Sequence, residues 1–424
     1  MSGRARGRAV VGTIDAGGVY SSLAAAGDGY IFLAGTAIDD SGRLADAARP
    51  AAPYEASEPA RASAQARFLF GRLRELLPTL GSSINDICQL EQYVKLKVHA
   101  DPYFAVVTDP AFMGKARPGG ATAQLAGYHP EEAAISVTGL AIAPDPASGL
   151  VKSYPGEDPA KPSTGLFSAL VAAGPYVFNT YFPTDNKTGV HPSAKAEDWN
   201  WRGSEIKSEV AFGIAQLKEK LAVAGASLSD IVSYTLFLAD VGDLYEFDLA
   251  FAAALGPVAP SRAVIPAQGY ANPRREGAFG HAENAQRMEI QVRAIDPASG
   301  VKRTVVDGPG AGVGHQSAGI RVDPLLWIST QYADKAHRGG GAKQEVTNVL
   351  DQIATVCRNG GTDLKQLLRL RALVTRPEDA TAVYAALRAA VPSAPPVVSI
   401  IQVPALPVPA CSIALDAVAY VPGS

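Results

Sequence analysis

One pattern comes three times along this chain: an apolar stripe at helical spacing, a glycine after it, and then a strand-like run. Ala66, Phe70, Leu73 and Leu77 stand at i, i+4, i+7 and i+11 and lead to Gly81. Val210, Ile214, Leu217 and Leu221 lead in the same way to Gly225, and Val346, Leu350, Ile353 and Cys357 to Gly361. Such spacing lines one face of a helix, and a glycine past its end takes the left-handed conformation that stops it. The glycines are 144 and 136 residues apart. A period of that length is a folding unit, so the chain is expected to be built from three similar pieces.

The flanks repeat too. Before each helix stands a strand-like stretch, "YIFLAG", "YVFNTYF" and "LLWISTQY"; the first two run into the hairpin turns "DDSGRL" and "DNKTGV". After each glycine come a strand ("CQLEQYVKLKV", "IVSYTLFLADV", "LLRLRALVT"), a second helix, and a last strand ("AAISVTGLAIAP", "RMEIQVRAI", "CSIALDAVAYV"). The unit reads ββ-α-β-α-ββ. The turn "DPASG" follows the last strand at Asp145–Gly149 and again at Asp296–Gly300, which divides the chain into 1–145, 146–296 and 297–424. A sheet with helices on one face must bury the other. Three such faces close head to tail around a pseudo-threefold axis. In one chain, each seam is free to diverge.

Composition narrows the function. With 47% hydrophobic residues, 19% charged and a net charge of −3 over 424 residues, the chain reads as an ordinary globular protein without the basic surface of a nucleic-acid or membrane binder. Cys88, Cys357 and Cys411 are odd in number and far apart, which points to a reducing compartment, the cytoplasm, and not to a disulfide framework. The six histidines are scattered and no metal-ligand spacing occurs. The first residues lack the apolar core of a signal peptide, and no run reaches the length of a membrane span.

The middle copy carries "YVFNTYFPTDNKTGV", "AGASLSDIVSYTLFLADVGDLYEFDLAF", "PSRAV" and "MEIQV". It resembles a domain of the RidA (YjgF/endoribonuclease L-PSP) family, and the other two copies follow by register. The resemblance implies an α+β fold of three tandem chorismate-mutase-like units. They would form an intramolecular, monomeric pseudo-trimer with sheets around a central core, helices outside and clefts between neighbours. It implies cofactor-free hydrolysis of an enamine or imine of a carboxylate-bearing small molecule. Arg262, in Pro260-Ser261-Arg262, matches the arginine that seats the substrate carboxylate, and Glu289 matches the glutamate that handles the attacking water. A guanidinium fork suits a carboxylate, and a carboxylate in an apolar cleft suits proton transfer. The first copy has a residue around Ala121 and Ser136 at these two positions, and the third has Val398 or its neighbour and Ala414. One cleft of three is therefore expected to hold the charged pair.

By the same resemblance, substrate-binding positions fall on Tyr20 and Gly35, on Phe167, Asn179 and Thr180, and on His315, Ser329 and Thr330. Asp248 stands where the family has asparagine; a carboxylate there repels an acid or recruits a cation. Which neighbour completes the cleft of Arg262 stays open. Two insertions in the middle copy bring Trp199 and Trp201, and Tyr270, Arg274, Arg275 and His281; the second lies between Arg262 and Glu289 and can reach a cleft mouth. Taken singly, the tryptophans read as a loop anchor and the basic residues as solvated. Two other readings stay beside the deaminase. One is a hydrolase or lyase acting on a larger, cyclic substrate. The other is a pseudo-trimer that binds a metabolite without catalysis.

Overall fold

In the computed structural model the helices form on their stripes and stop at their glycines. The residues described are 7–50, 57–158, 165–181, 183–185, 189–196, 204–270, 286–310 and 313–423. The helices are α1 (Glu58–Leu76), α2 (Ala100–Val107), α3 (Pro110–Met113), α4 (Glu205–Val223), α5 (Leu244–Leu255), α6 (Ala342–Asn359) and α7 (Ala380–Ala390). Ser57 and Ser204 cap α1 and α4 by accepting from the N–H groups of Ala60 and Lys207. Gly81, Gly225 and Gly361 have φ of 74°, 72° and 84°, the left-handed stop that the spacing predicts. One stripe is rotated from expectation. In α4, Ile214 is only half-buried and Gly213 is buried, because the Tyr181 ring lies on Gly213 where a Cβ would stand.

Three mixed sheets carry these helices, and they share one strand order. In the middle sheet it runs Lys152–Ser153, Leu170–Ala173, Tyr176–Tyr181, Met288–Ile295, Ile231–Leu238, Ser261–Pro266. The first runs Arg8–Val11, Ala24–Gly27, Tyr30–Gly35, Ile135–Ile142, Ile87–Val94, Gly119–Gln124. The third runs Thr304–Val306, Gly319–Val322, Leu325–Tyr332, Ile413–Tyr420, Leu367–Val374, Val397–Gln402. Each sheet thus begins with a strand more than the sequence pattern shows. Gly269–Tyr270 adds to the open edge of the first sheet and Gly127–Tyr128 to that of the third, covering backbone that would otherwise be left unpaired. "DPASG" is the same tight turn both times. Asp145 and Asp296 accept from the N–H two residues on, and Gly149 and Gly300 close it at φ 74° and 71°.

The inner faces meet in a shared core of Phe32, Leu140, Tyr176, Phe178, Trp327 and Val418. Beside it lies a buried charged layer. Glu91 of the first sheet accepts from Arg371 of the third at 2.6 Å, from Arg293 of the middle at 3.1 Å and from Thr235 at 2.8 Å. Asp416 takes Arg369 and Arg371, both at 2.7 Å.

Candidate active site at the seams

The edge strand of each sheet lies against the next sheet, so the seams are where the expected site residues gather. Ser261–Pro266, with Arg262, runs beside the third sheet: the Arg262 N–H donates to Ser329 Oγ at 2.9 Å and Ser317 N–H to Pro260 O at 3.1 Å. Of the two sheets left open by the sequence, it is therefore the third that Arg262 lies against.

The Arg262 guanidinium is wholly buried and already engaged. Its Nε donates to Gln316 Oε1 at 3.1 Å, one Nη to Val313 O at 2.6 Å and the other to the Asp248 carboxylate on α5. Burial lifts Asp248 above its ordinary value, against the pull of Arg262 and the N–H of His315. Burial lowers His315, with Asp248 opposing and Arg262 assisting, and its Nε2 is buried with no hydrogen-bond partner among the described residues. Gly314, at φ 71°, closes this corner; a Cβ there would collide with Asp248 and Arg262.

Glu289 is not in this cleft. On the central strand Ile231–Leu238, Arg262 pairs with Tyr234 and Glu289 with Phe237. Side chains alternate along a strand, so residues paired three positions apart project from opposite faces. Arg262 points to the helix side, with Asp248. Glu289 points inward to the first sheet, where the Thr122 N–H donates to it and burial raises it well above its ordinary value. The expectation that one cleft holds both charges is overturned. The two residues stand on the strands that flank Ile231–Leu238, and the face each uses depends on register.

Register also corrects an alignment. The positions matching Arg262 are Gly120 in the first sheet and Val398 in the third, so Gly120 replaces Ala121. Ser136 and Ala414 do match Glu289. Phe167 fills the room above Gly120: a Cβ there would stand 2.6 Å from its ring.

The other expected residues are distributed over three seams. Phe167 and Thr180 lie by the first sheet's edge, while Asn179, alternate to the inward Phe178, is on the helix side and donates to Ala169 O at 2.5 Å. Tyr20 and Gly35 lie at the seam with the third copy; Tyr20 donates to Val391 O at 2.6 Å. Ser329 supports Arg262 directly. Gln331, after Thr330 on that strand, has its amide 2.5 Å from where a Gly310 Cβ would be. Tyr270, expected at the mouth of Arg262's cleft, has its backbone paired with Ala123 on the first sheet. Trp199, Trp201, Arg274, Arg275 and His281 lie outside the described residues.

One polar cavity gathers three positions named from the sequence, Gly35, Ser136 and Val398, with polar residues that are not. Between the first and third sheets, Ser21, Thr36, His129, Ser136, Tyr384 and Ser399 line about 20 Å³, room for a water or two. His129 meets the edge of Tyr384 at 5.4 Å, and burial lowers it. His129 and Tyr384 are not singled out by the sequence, where the six histidines are simply scattered.

No protein-family model and no curated protein sequence matches the chain. Among solved structures it is similar to a chorismatase at 12% identity, TM-score 0.50, over 79% of this chain and 93% of that one. It is also similar to RidA from the Antarctic bacterium Psychrobacter sp. PAMC 21119, at 20% identity and TM-score 0.26, over 28% of this chain and 99% of that one. A YjgF/YER057c/UK114 family member from Mycobacterium tuberculosis aligns at 24% identity and TM-score 0.26, over 28% and 100%. The chain thus has a mixed α+β fold, shared with the chorismatase over most of its length. No helix among the described residues is long and apolar enough to cross a membrane.

Proposed function

We propose that the chain is a pseudo-trimer of three RidA-like units and a cofactor-free hydrolase of a C–N bond in a carboxylate-bearing small molecule, acting at the seam of Arg262. One observation carries this reading: the guanidinium sits where two units meet and already holds a carboxylate, Asp248, from its own chain. A substrate carboxylate takes that place when Asp248 moves aside. Water then adds to the C=N carbon, the nitrogen leaves as ammonia and a 2-oxo acid remains. Asp248, lifted by burial, and His315, neutral when lowered, are the groups beside Arg262 able to move the protons. Glu289 faces another seam and takes no part.

The test generates imino acids with an amino-acid oxidase, traps them with semicarbazide, and measures how far the protein diverts them. Arg262→Lys, which keeps charge but loses the fork, is expected to abolish diversion, while Glu289→Gln stays within about twofold of wild type. Loss in Glu289→Gln with activity kept in Arg262→Lys overturns the assignment. A non-catalytic reading is favoured by the occupied state of Arg262 and the close fit of Gly314 over it. It predicts no diversion for any imine or larger cyclic substrate, and only a loss of stability in Arg262→Lys.

A further inference from the structure

Where the three sheets meet, the charged layer borders a cavity of about 10 Å³, lined by Phe32, Gln89, Glu91, Arg293, Trp327 and Arg369, among others. Three arginines here (Arg293, Arg369, Arg371) face two carboxylates, Glu91 and Asp416, so one positive charge is left over. All five groups are at least nine-tenths buried. The pairing uses the outer nitrogens of Arg293 and Arg369, while both Nε–H groups have no acceptor among the described residues, nor does the Gln89 amide have a partner at either end. Two guanidinium N–H groups and an amide without acceptors, around a void the size of one small particle, are a costly arrangement if empty.

We propose that this cavity holds one monovalent anion of the halide class, received by Arg293 Nε–H, Arg369 Nε–H and the Gln89 amide. The volume admits one small sphere and excludes phosphate, sulfate or an organic acid. The charge fits as well: a single negative ion balances the cluster, whereas a water leaves it at plus one in a low-dielectric interior. The amide of Gln89 turns its NH₂ inward to serve as the third donor. The groups that receive it come together only in the folded state, so its binding adds to stability.

The test unfolds the protein in urea and refolds it in bromide or in gluconate at equal ionic strength. Crystals of the bromide-refolded protein are expected to give an anomalous peak within hydrogen-bond reach of both Nε atoms. Above the dissociation constant, each tenfold rise in bromide is expected to raise the folding constant about tenfold, as for one bound ion. Arg369→Met is expected to lose that dependence. Absence of the peak in the wild type overturns the proposal even if Arg369→Met fails to fold, and so does equal stability in bromide and gluconate.

Discussion

The Arg262 guanidinium finds a carboxylate in its own chain. One turn into α5, Asp248 meets Arg262 at the seam. Asp248→Asn removes the competing charge and, with it, a proton carrier. The expected outcome in steady-state kinetics is a split, with KM for the carboxylate substrate falling and kcat dropping about 100-fold, the usual worth of one acid–base group. Equal changes in both would mean that Asp248 only shapes the site. Gly314→Ala places a Cβ against the same pair in a left-handed backbone, so a lowered melting temperature is expected from strain and the parted ion pair together.

At the scale of elements, one device recurs in all three units. The polar residue just before the first apolar stripe position of the long helix reaches the backbone where the last strand begins. Gln65 accepts from Ala134 N–H at 2.7 Å, Glu209 from Arg287 and Met288 at 3.1 and 3.2 Å, and Glu345 from Ser412 and Ile413 at 2.7 and 3.1 Å. Burial raises Glu209 to about 8, although these N–H groups and the Arg287 charge pull it down. The folded state therefore binds the extra proton between the ordinary value of 4.5 and about 8, and wild-type stability falls as pH climbs through that window. Glu209→Gln keeps an acceptor, as Gln65 does, and lacks the titration. Urea midpoints at pH 5 and 8.5 are expected to fall for the wild type and hold for the variant, with a slope difference of at most about 1.4 kcal/mol per pH unit.

At the scale of the molecule, the register that equates the sheets puts Glu91, Thr235 and Arg371 at one position. Three identical glutamates or arginines there would repel one another in the interior; an acid, a hydroxyl and a base bond to each other instead. Burial alone would raise Glu91, but Arg371 and Arg293 reverse that and hold it well below the usual carboxylate range. Its contribution is therefore full above about pH 4.5 and is lost as acid approaches its lowered value. Glu91→Gln leaves two buried arginines short of an acceptor, and a loss of about 3–5 kcal/mol is expected by urea unfolding at pH 7, shrinking in acid. An unchanged midpoint at pH 7 would show the layer to be marginal to stability.

The sequence by itself determined the local pieces: where helices begin and stop, the shared turn "DPASG", and the presence of Arg262 and Glu289 each on a strand. These follow from periodicity and turn chemistry, which act over a few residues. Which copy faces Arg262, the matching of Arg262 to Gly120, and the separation of Arg262 from Glu289 were decided only by the tertiary structure. So were the capture of Arg262 by Asp248 and the cavity of His129 and Tyr384. In a strand, a shift of one residue moves a side chain to the other face, and seams join residues up to hundreds of positions apart. The sequence carries the residues for both; only the packed sheets fix their register and bring them into contact.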